Sequence, residues 1–328
     1  MNDAGLYDPL QEFTFNPVEC FLTGKKTNST IPVFPEWIME RYELHDKPFT
    51  MLGENAVKYA SLQIPCSEEV IMNAIDPLEE EIELAFTTGY EAVKELDKLR
   101  LFQWMAKIVY GILYHDMSYA IRLHTAKDKT FKLSEYLTKR FRNLHFMLQS
   151  LVHKMTFTNF FPCSIRVVKV NYSKDIFNYK DETKNLNFSL GMNGFGIVAC
   201  LQDNGQNEIF QKDLLQKVGE KTLHSIQFEE LWSRFLYSNY LLNTSTQYSY
   251  TKAGDEIWVA SVPIPGAEKQ VSFKPWDEKM FAQVLANYWK PWGLTMGDIY
   301  DFPNSPISYL IDESTNQFIE PESIKMPS

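Results

Sequence analysis

The amino-acid sequence predicts an α+β protein: an irregular N-terminal module and a set of helices, then an antiparallel-rich sheet with helices of its own. Three observations carry this expectation. Between residues 76 and 156 apolar residues recur at spacings of three and four, the period of a helix with one buried face. After Pro162 the period falls to two, which sends alternate side chains to opposite sides of a strand. Residues 1–73 show neither period and are interrupted by Pro17, Pro32, Pro35, Pro48 and Pro65. The expected division is a module over 1–75, a helical region over 76–156, and an α+β domain with an extended tail over 157–328.

The elements follow in order. Asp76-Pro77-Leu78-Glu79 reads as a helix start, with Asp76 as N-cap, Pro77 in the first turn and Glu79 closing a capping box. Glu79 to Glu81 would then compensate the positive end of the helix dipole and face water. Leu101, Trp104, Met105, Ile108, Val109 and Ile112 form the apolar stripe of a second helix. A third starts at Ser134 and aligns Leu137, Phe141, Leu144, Leu148 and Leu151. Ser164 to Val170 and Leu186 to Leu190 read as strands, and Asn193-Gly194 as a two-residue hairpin turn into Gly196 to Leu201. Asn204-Gly205 marks another turn. A helix is expected from Phe228 to Leu242, a hairpin from Tyr248–Lys252 and Ile257–Val262, and a helix from Asp277 to Trp289 stopped by Pro291. The tail from Gly293, with Pro303, Pro306 and Pro321, is expected to run extended over the surface.

Composition narrows the function classes. A chain of 328 residues with 23 Phe, 17 Tyr and 7 Trp can build large cores. The net charge of −10 repels phosphate at long range, which argues against non-specific nucleic-acid binding and against docking on anionic membrane. Cys20, Cys66, Cys163 and Cys200 form no CxxC pair and no disulfide-framework spacing, so they read as reduced thiols. Met1 to Gly5 lacks an apolar run, so no signal peptide is expected, and no segment has the apolar length of a membrane span. Together these features point to a cytoplasmic protein. No Walker A loop, HExxH or GxSxG occurs, and Gly191, Gly194 and Gly196 sit in a hairpin, not a dinucleotide-binding turn.

Three fragments in the first third carry chemical meaning: Cys20-Phe21-Leu22-Thr23-Gly24, then Val33-Phe34-Pro35-Glu36-Trp37-Ile38, then Ile64-Pro65-Cys66-Ser67-Glu68-Glu69. In this order they resemble bacterial HNH-endonuclease domains, in which CxxCG is followed by a histidine-containing stretch ending in Pro-x-Trp and then by ProCxxCN. Leu101 to Gly111 is similar to a helix that follows the motif in a group of bacterial HNH-domain proteins, and Phe195 to Gly205 resembles their strand-rich C-terminal part.

The resemblance implies a zinc-supported nuclease fold, and the departures imply that its chemistry is gone. The general-base histidine of the family falls on Pro32 and its neighbour on Ile31, neither of which accepts a proton. The two cysteine pairs are reduced to Cys20 with Thr23 and Cys66 with Glu69, a poor set for structural zinc. The expectation is a metal-free, catalytically silent module acting by binding a protein or nucleic-acid partner, with Cys20 and Cys66 as small buried hydrophobes.

Two alternatives stand beside it. The first is a divalent-metal-dependent nuclease with a relocated site, for which His45 and Asp46 are the candidate catalytic residues, Cys20, Cys66 and Glu69 the candidate ligands, and Zn or Mg the metal. The second is a ligand-binding or structural module seated in the C-terminal sheet. Lys132, Lys139, Arg140 and Arg142, with His145, are candidate phosphate contacts on the third helix; an ordinary solvated face is the plainer reading. His115, Asp116, His124 and His153 are scattered single residues, and Asp181, Asp203 and Glu208 are acidic residues near turns.

Overall fold

The computed structural model describes residues 6–11, 13, 15–52, 56–127, 131–243, 247–262 and 272–325. The chain is α+β. Its elements begin with β1 (Thr30–Pro32), α1 (Glu36–Arg41), β2 (Pro48–Thr50), β3 (Ala56–Lys58), β4 (Gln63–Pro65), α2 (Glu68–Val70) and α3 (Asp76–Thr88). Next come α4 (Tyr90–Glu95), α5 (Lys98–Thr125), α6 (Glu135–Leu148), β5 (Lys154–Phe157), β6 (Ser164–Val170), β7 (Phe177–Glu182), β8 (Asn187–Met192) and β9 (Phe195–Cys200). The chain continues through α7 (Gln206–Phe210), α8 (Lys212–Val218), β10 (Thr222–Leu223), α9 (Ser225–Leu241), β11 (Gln247–Ala253) and β12 (Glu256–Val262). It finishes with α10 (Glu278–Trp289), α11 (Met296–Ile299), β13 (Ile311–Asp312) and β14 (Gln317–Phe318). The chain divides into two compact units, one of residues 1–88, 95–158 and 250–259, the other of 89–94, 159–249 and 260–328.

In the first unit the module and the helical stretch share one core. Antiparallel β1 and β4 pair Ile31 with Ile64, and β2 and β3 form a short hairpin. Asp97 caps α5 by accepting from the backbone N–H groups of Leu99 and Arg100. At 1.5 Å per residue α5 spans about 42 Å. It is buried on all sides from Leu101 to Tyr114, not along a single stripe. Phe21 stacks on Tyr110 and the edge of Phe86 meets Trp104. Gly111 is required here, because a Cβ would stand 2.6 Å from the Val33 side chain.

Two expectations in this unit are corrected. Asp76 is not an N-cap: its φ of −58° and ψ of −46° are helical, and the helix has already begun after Ser67. A π-helical turn over Ile71–Ile75 joins α2 to α3. Pro77 has no N–H to donate backwards, and the wider turn before it lets the chain pass the proline without ending the helix. Nor does Glu79 serve mainly as a solvated dipole charge; its carboxylate turns inward to Lys107 and Trp104.

The second unit is built on a five-stranded sheet in the order β10-β6-β9-β8-β7, antiparallel except where β10 joins β6. Asn193 and Gly194 both take positive φ at the β8–β9 turn, the conformation a two-residue hairpin demands. Helix α9 lies on the sheet, burying Phe228, Leu231, Trp232 and Phe235 against Val168, Val198 and Cys200. Gly196 permits this approach, since a Cβ there would fall 2.3 Å from the Phe228 ring. Helix α10 covers α9 through Phe281, Leu285 and Trp289. The three-stranded sheet β11-β12-β5, most of whose residues belong to the first unit, sets β12 parallel to β5.

The tail departs from expectation. Instead of running over the surface, it buries Ile299, Leu310 and Phe318 in the second unit. Fully buried Glu230 of α9 accepts from the backbone N–H of Tyr309 and of Leu310, at 2.7 and 3.0 Å. Short helices α7 and α8 also follow the Asn204-Gly205 turn, which the sequence pattern had marked as a turn alone.

Candidate functional site

Pairing of β1 with β4 brings together the loop after Val18 and the loop after Pro65. The Phe21 N–H donates to Pro65 O at 2.8 Å and the Cys66 N–H to Ser29 O at 3.0 Å. Within the first loop, Cys20 N–H reaches Lys25 O and Gly24 N–H reaches Cys20 O, each at 2.8 Å, closing a tight turn. Gly24 has a φ of +66°, and a Cβ there would strike the Tyr7 ring at 2.6 Å. From α6, His145 Nε2 donates to Phe21 O at 2.6 Å; a carbonyl only accepts, so this nitrogen carries the proton.

Cys20, Thr23 and Cys66 lie close together in the paired loops, and Glu69 stands apart from them. Cys66, Thr23 and the backbone of Ser67 and Leu22 surround the Cys20 sulfur and favour its thiolate. The Cys66 contact is foremost in holding the Cys20 thiol down to about 4, outweighing burial. Cys66, sharing its proton with that sulfur and buried beside it, is pushed well up. Both side chains are fully buried. Glu69 points outward and pairs with Lys25 at 2.7 Å, with 60% and 66% of the two side chains exposed. Lys25 holds the Glu69 carboxyl below its usual range.

Zinc does not fit these donors: they offer two sulfurs and a threonine hydroxyl, and the Glu69 carboxylate is held away by Lys25. Among the described residues no three His, Cys, Asp or Glu side chains converge on one point.

The other sequence candidates lie apart from this arrangement. His45, after α1, meets the Glu36 carboxylate at 2.5 Å, and Asp46 pairs with Lys58 at 2.7 Å. Each is an exposed pair, and such pairs add little stability. Pro32 and Ile31 stand in β1, in register with Gln63 and Ile64.

The basic face expected on α6 is divided. Lys132 is exposed ahead of the helix, and Lys139 is half-buried. Arg140 lies over the Tyr136 ring and donates to its hydroxyl at 2.9 Å. Arg142 turns to Asp8 at 2.9 Å and to Leu10 O at 3.3 Å, while His145 is inside the core. Arg142 and His145 therefore do not join a phosphate-facing row, because the N-terminal segment covers that side of α6.

Buried polar groups that the sequence reading missed are more numerous. Lys107, in the middle of α5, pairs with Glu79 at 2.6 Å, and Trp104 donates to the same carboxylate at 3.0 Å. In the second unit Lys180 of β7 meets Glu229 of α9 at 2.6 Å, and Asn178 bridges Glu229 to the Tyr172 hydroxyl. Burial drives the Lys180 ammonium down and the Tyr172 hydroxyl up. Buried Asp203 accepts from Ser164, Gly205 and Asn207 and so staples the start of β6 to α7. A charged letter inside an apolar helix, as at Lys107 and Glu229, was the available signal; it says that a partner exists, not which one.

Two cavities open in the first unit. One of about 410 Å³ touches Tyr7, Leu22, Thr23, Lys25, Glu69 and His153, beside the paired loops. The other, of about 730 Å³, runs past Phe15, Tyr114, His115, Ile121, Arg122 and Glu19. No described helix is long and apolar enough to cross a membrane. No family model, curated protein or solved structure matches this chain.

Proposed function

We propose that this chain is a non-catalytic derivative of an HNH-type module and acts by binding a macromolecular partner, a protein in preference to a nucleic acid. The observation supporting this most directly is that Glu69, which would have to turn toward Cys20 and Cys66 to hold a metal with them, is instead paired with Lys25 at 2.7 Å. Proline at the general-base position adds to it, since proline has no group that accepts a proton from water. The preference for a protein partner rests on the net charge of −10 and on Arg142 being engaged with Asp8.

The test is incubation of the purified protein with plasmid DNA and with RNA in Mg²⁺, Mn²⁺ and Zn²⁺. No strand scission is expected with any of them, and no mobility shift at physiological salt. Scission that is lost in His45→Ala would overturn the reading in favour of a relocated nuclease site. That second reading has one observation on its side, the 2.5 Å contact by which Glu36 orients His45.

A further inference from the structure

We propose that the groove of about 730 Å³ in the first unit is a binding site for a short zwitterionic peptide that carries an aromatic side chain. Its walls come from the last part of α5, from the paired strands β1 and β4, and from the N-terminal segment through Glu19. On α5 the lining residues are Tyr114, His115, Ser118, Ile121 and Arg122. Their spacings of three and four set them on one side of the helix.

The charges in the groove carry the argument. Among the described lining residues Arg122 is the only cation and Glu19 the only anion. Among the described residues neither takes part in an ion pair. Arg122 Nε donates to Ser118 O, in its own helix, at 3.2 Å, which leaves the terminal Nη groups for a ligand. Glu19 accepts from neutral groups, Asn16 Nδ2 at 3.0 Å and the Tyr7 hydroxyl at 3.4 Å. Both charges act on the same hydroxyl: burial raises Tyr114, Arg122 opposes the rise and Glu19 adds to it. Two opposite charges thus share one groove without neutralising each other. A ligand with both signs at separate ends satisfies them, its carboxylate on the Arg122 guanidinium and its ammonium on Glu19. A phosphorylated ligand meets repulsion from Glu19, and a simple cation meets it from Arg122.

The rest of the lining suits a peptide with a ring. Phe15 meets Tyr114 edge to face, with centroids 5.5 Å apart, and Ile121 and Pro65 extend the apolar wall. A ligand ring continues such packing. His115 Nε2 donates to Gln63 O at 2.9 Å, so this nitrogen carries the proton. Burial, with Arg122 adding to it, holds the imidazole below its ordinary value, and the neutral ring keeps Nδ1 as an acceptor for a ligand amide N–H. A groove of about 730 Å³ falls in the range of small-molecule sites and has room for more than one amino acid. The site stands independently of the macromolecular partner proposed above.

The test is a ligand-observed NMR titration of the full-length protein with three probes: glycylphenylalanine, its N-acetyl form, which lacks the ammonium, and its C-terminal amide, which lacks the carboxylate. Glycylphenylalanine should bind saturably with a Kd on the order of 1 mM or tighter. Each capped form should bind about fivefold or more weakly. Arg122→Gln should weaken glycylphenylalanine and its acetyl form by a similar factor and leave the amide as it is. Glu19→Gln should weaken glycylphenylalanine and the amide and leave the acetyl form as it is. In each variant the unaffected probe reports that the groove has kept its shape, and the ranking on the unmodified chain decides the matter if a variant misfolds. Absence of saturable binding, or a capped form that binds as well as the zwitterion, overturns the proposal.

Discussion

His145 shows how far the meaning of one side chain depends on its surroundings. On a helical wheel it extends a basic face, yet it is 1% exposed and lies among the rings of Tyr7 and Tyr110. Desolvation pushes its imidazole down from 6.5 to about 4, against smaller opposing contributions from Phe21 O, Asp8 and Cys20. The folded imidazole therefore holds its proton less tightly than the unfolded one. Stability is complete above pH 6.5 and is withdrawn as pH falls toward 4, by on the order of 3 kcal/mol in full. Urea unfolding followed from about pH 7 to pH 4.5 should show this decline. His145→Gln, which keeps an amide donor for Phe21 O but does not titrate, should be less stable at neutral pH and flatter across the range. Equal slopes for the two proteins would sink the account.

Helix α5 makes the same point about a pair of residues. The sequence predicts a single apolar stripe for it, but from Leu101 to Tyr114 every residue is buried, the polar Gln103 and Lys107 included. Lys107 is 2% exposed at its side chain and Glu79 18%, so each charge depends on the other for solvation. Removing one partner leaves a buried charge alone. Lys107→Met or Glu79→Gln should each cost about 3–5 kcal/mol in chemical denaturation, whereas Lys107→Met with Glu79→Met should recover most of that loss. A double variant no better than the singles would show that the pair is not what stabilises this contact. The helix was legible in its spacing. Its partner was not, because Glu79 is 28 positions away and looks, by its place in an acidic first turn, like a dipole charge facing water.

Across the chain as a whole, the C-terminal tail is the part whose role is most changed by folding. Prolines at 303, 306 and 321 suggested an extended surface run, but Leu310 and Phe318 enter the core with α9, and Glu230 accepts hydrogen bonds from tail backbone N–H groups. Ending the chain after Gly293 would expose that core and strip Glu230 of the Ser308, Tyr309 and Leu310 donors. Loss of cooperative unfolding in the second unit is the expected result, read by amide hydrogen exchange in β6, β8 and β9. Leu310→Ala is the milder form, with an expected cost of about 2–4 kcal/mol. Full protection in the truncated chain would refute the assignment.

Periodicity and turn chemistry were enough to read the α+β class, the helices α5, α6, α9 and α10, and the Asn193-Gly194 hairpin. Those features are local: each depends on where consecutive side chains must point for one face to be buried. Which groups meet was decided only by three-dimensional packing. The Cys20–Cys66 contact, the Lys107–Glu79 and Lys180–Glu229 pairs and the inward turn of His145 join residues far apart in the chain. No local pattern encodes such partnerships, because a buried polar group requires a complement but leaves its position to the path of the backbone.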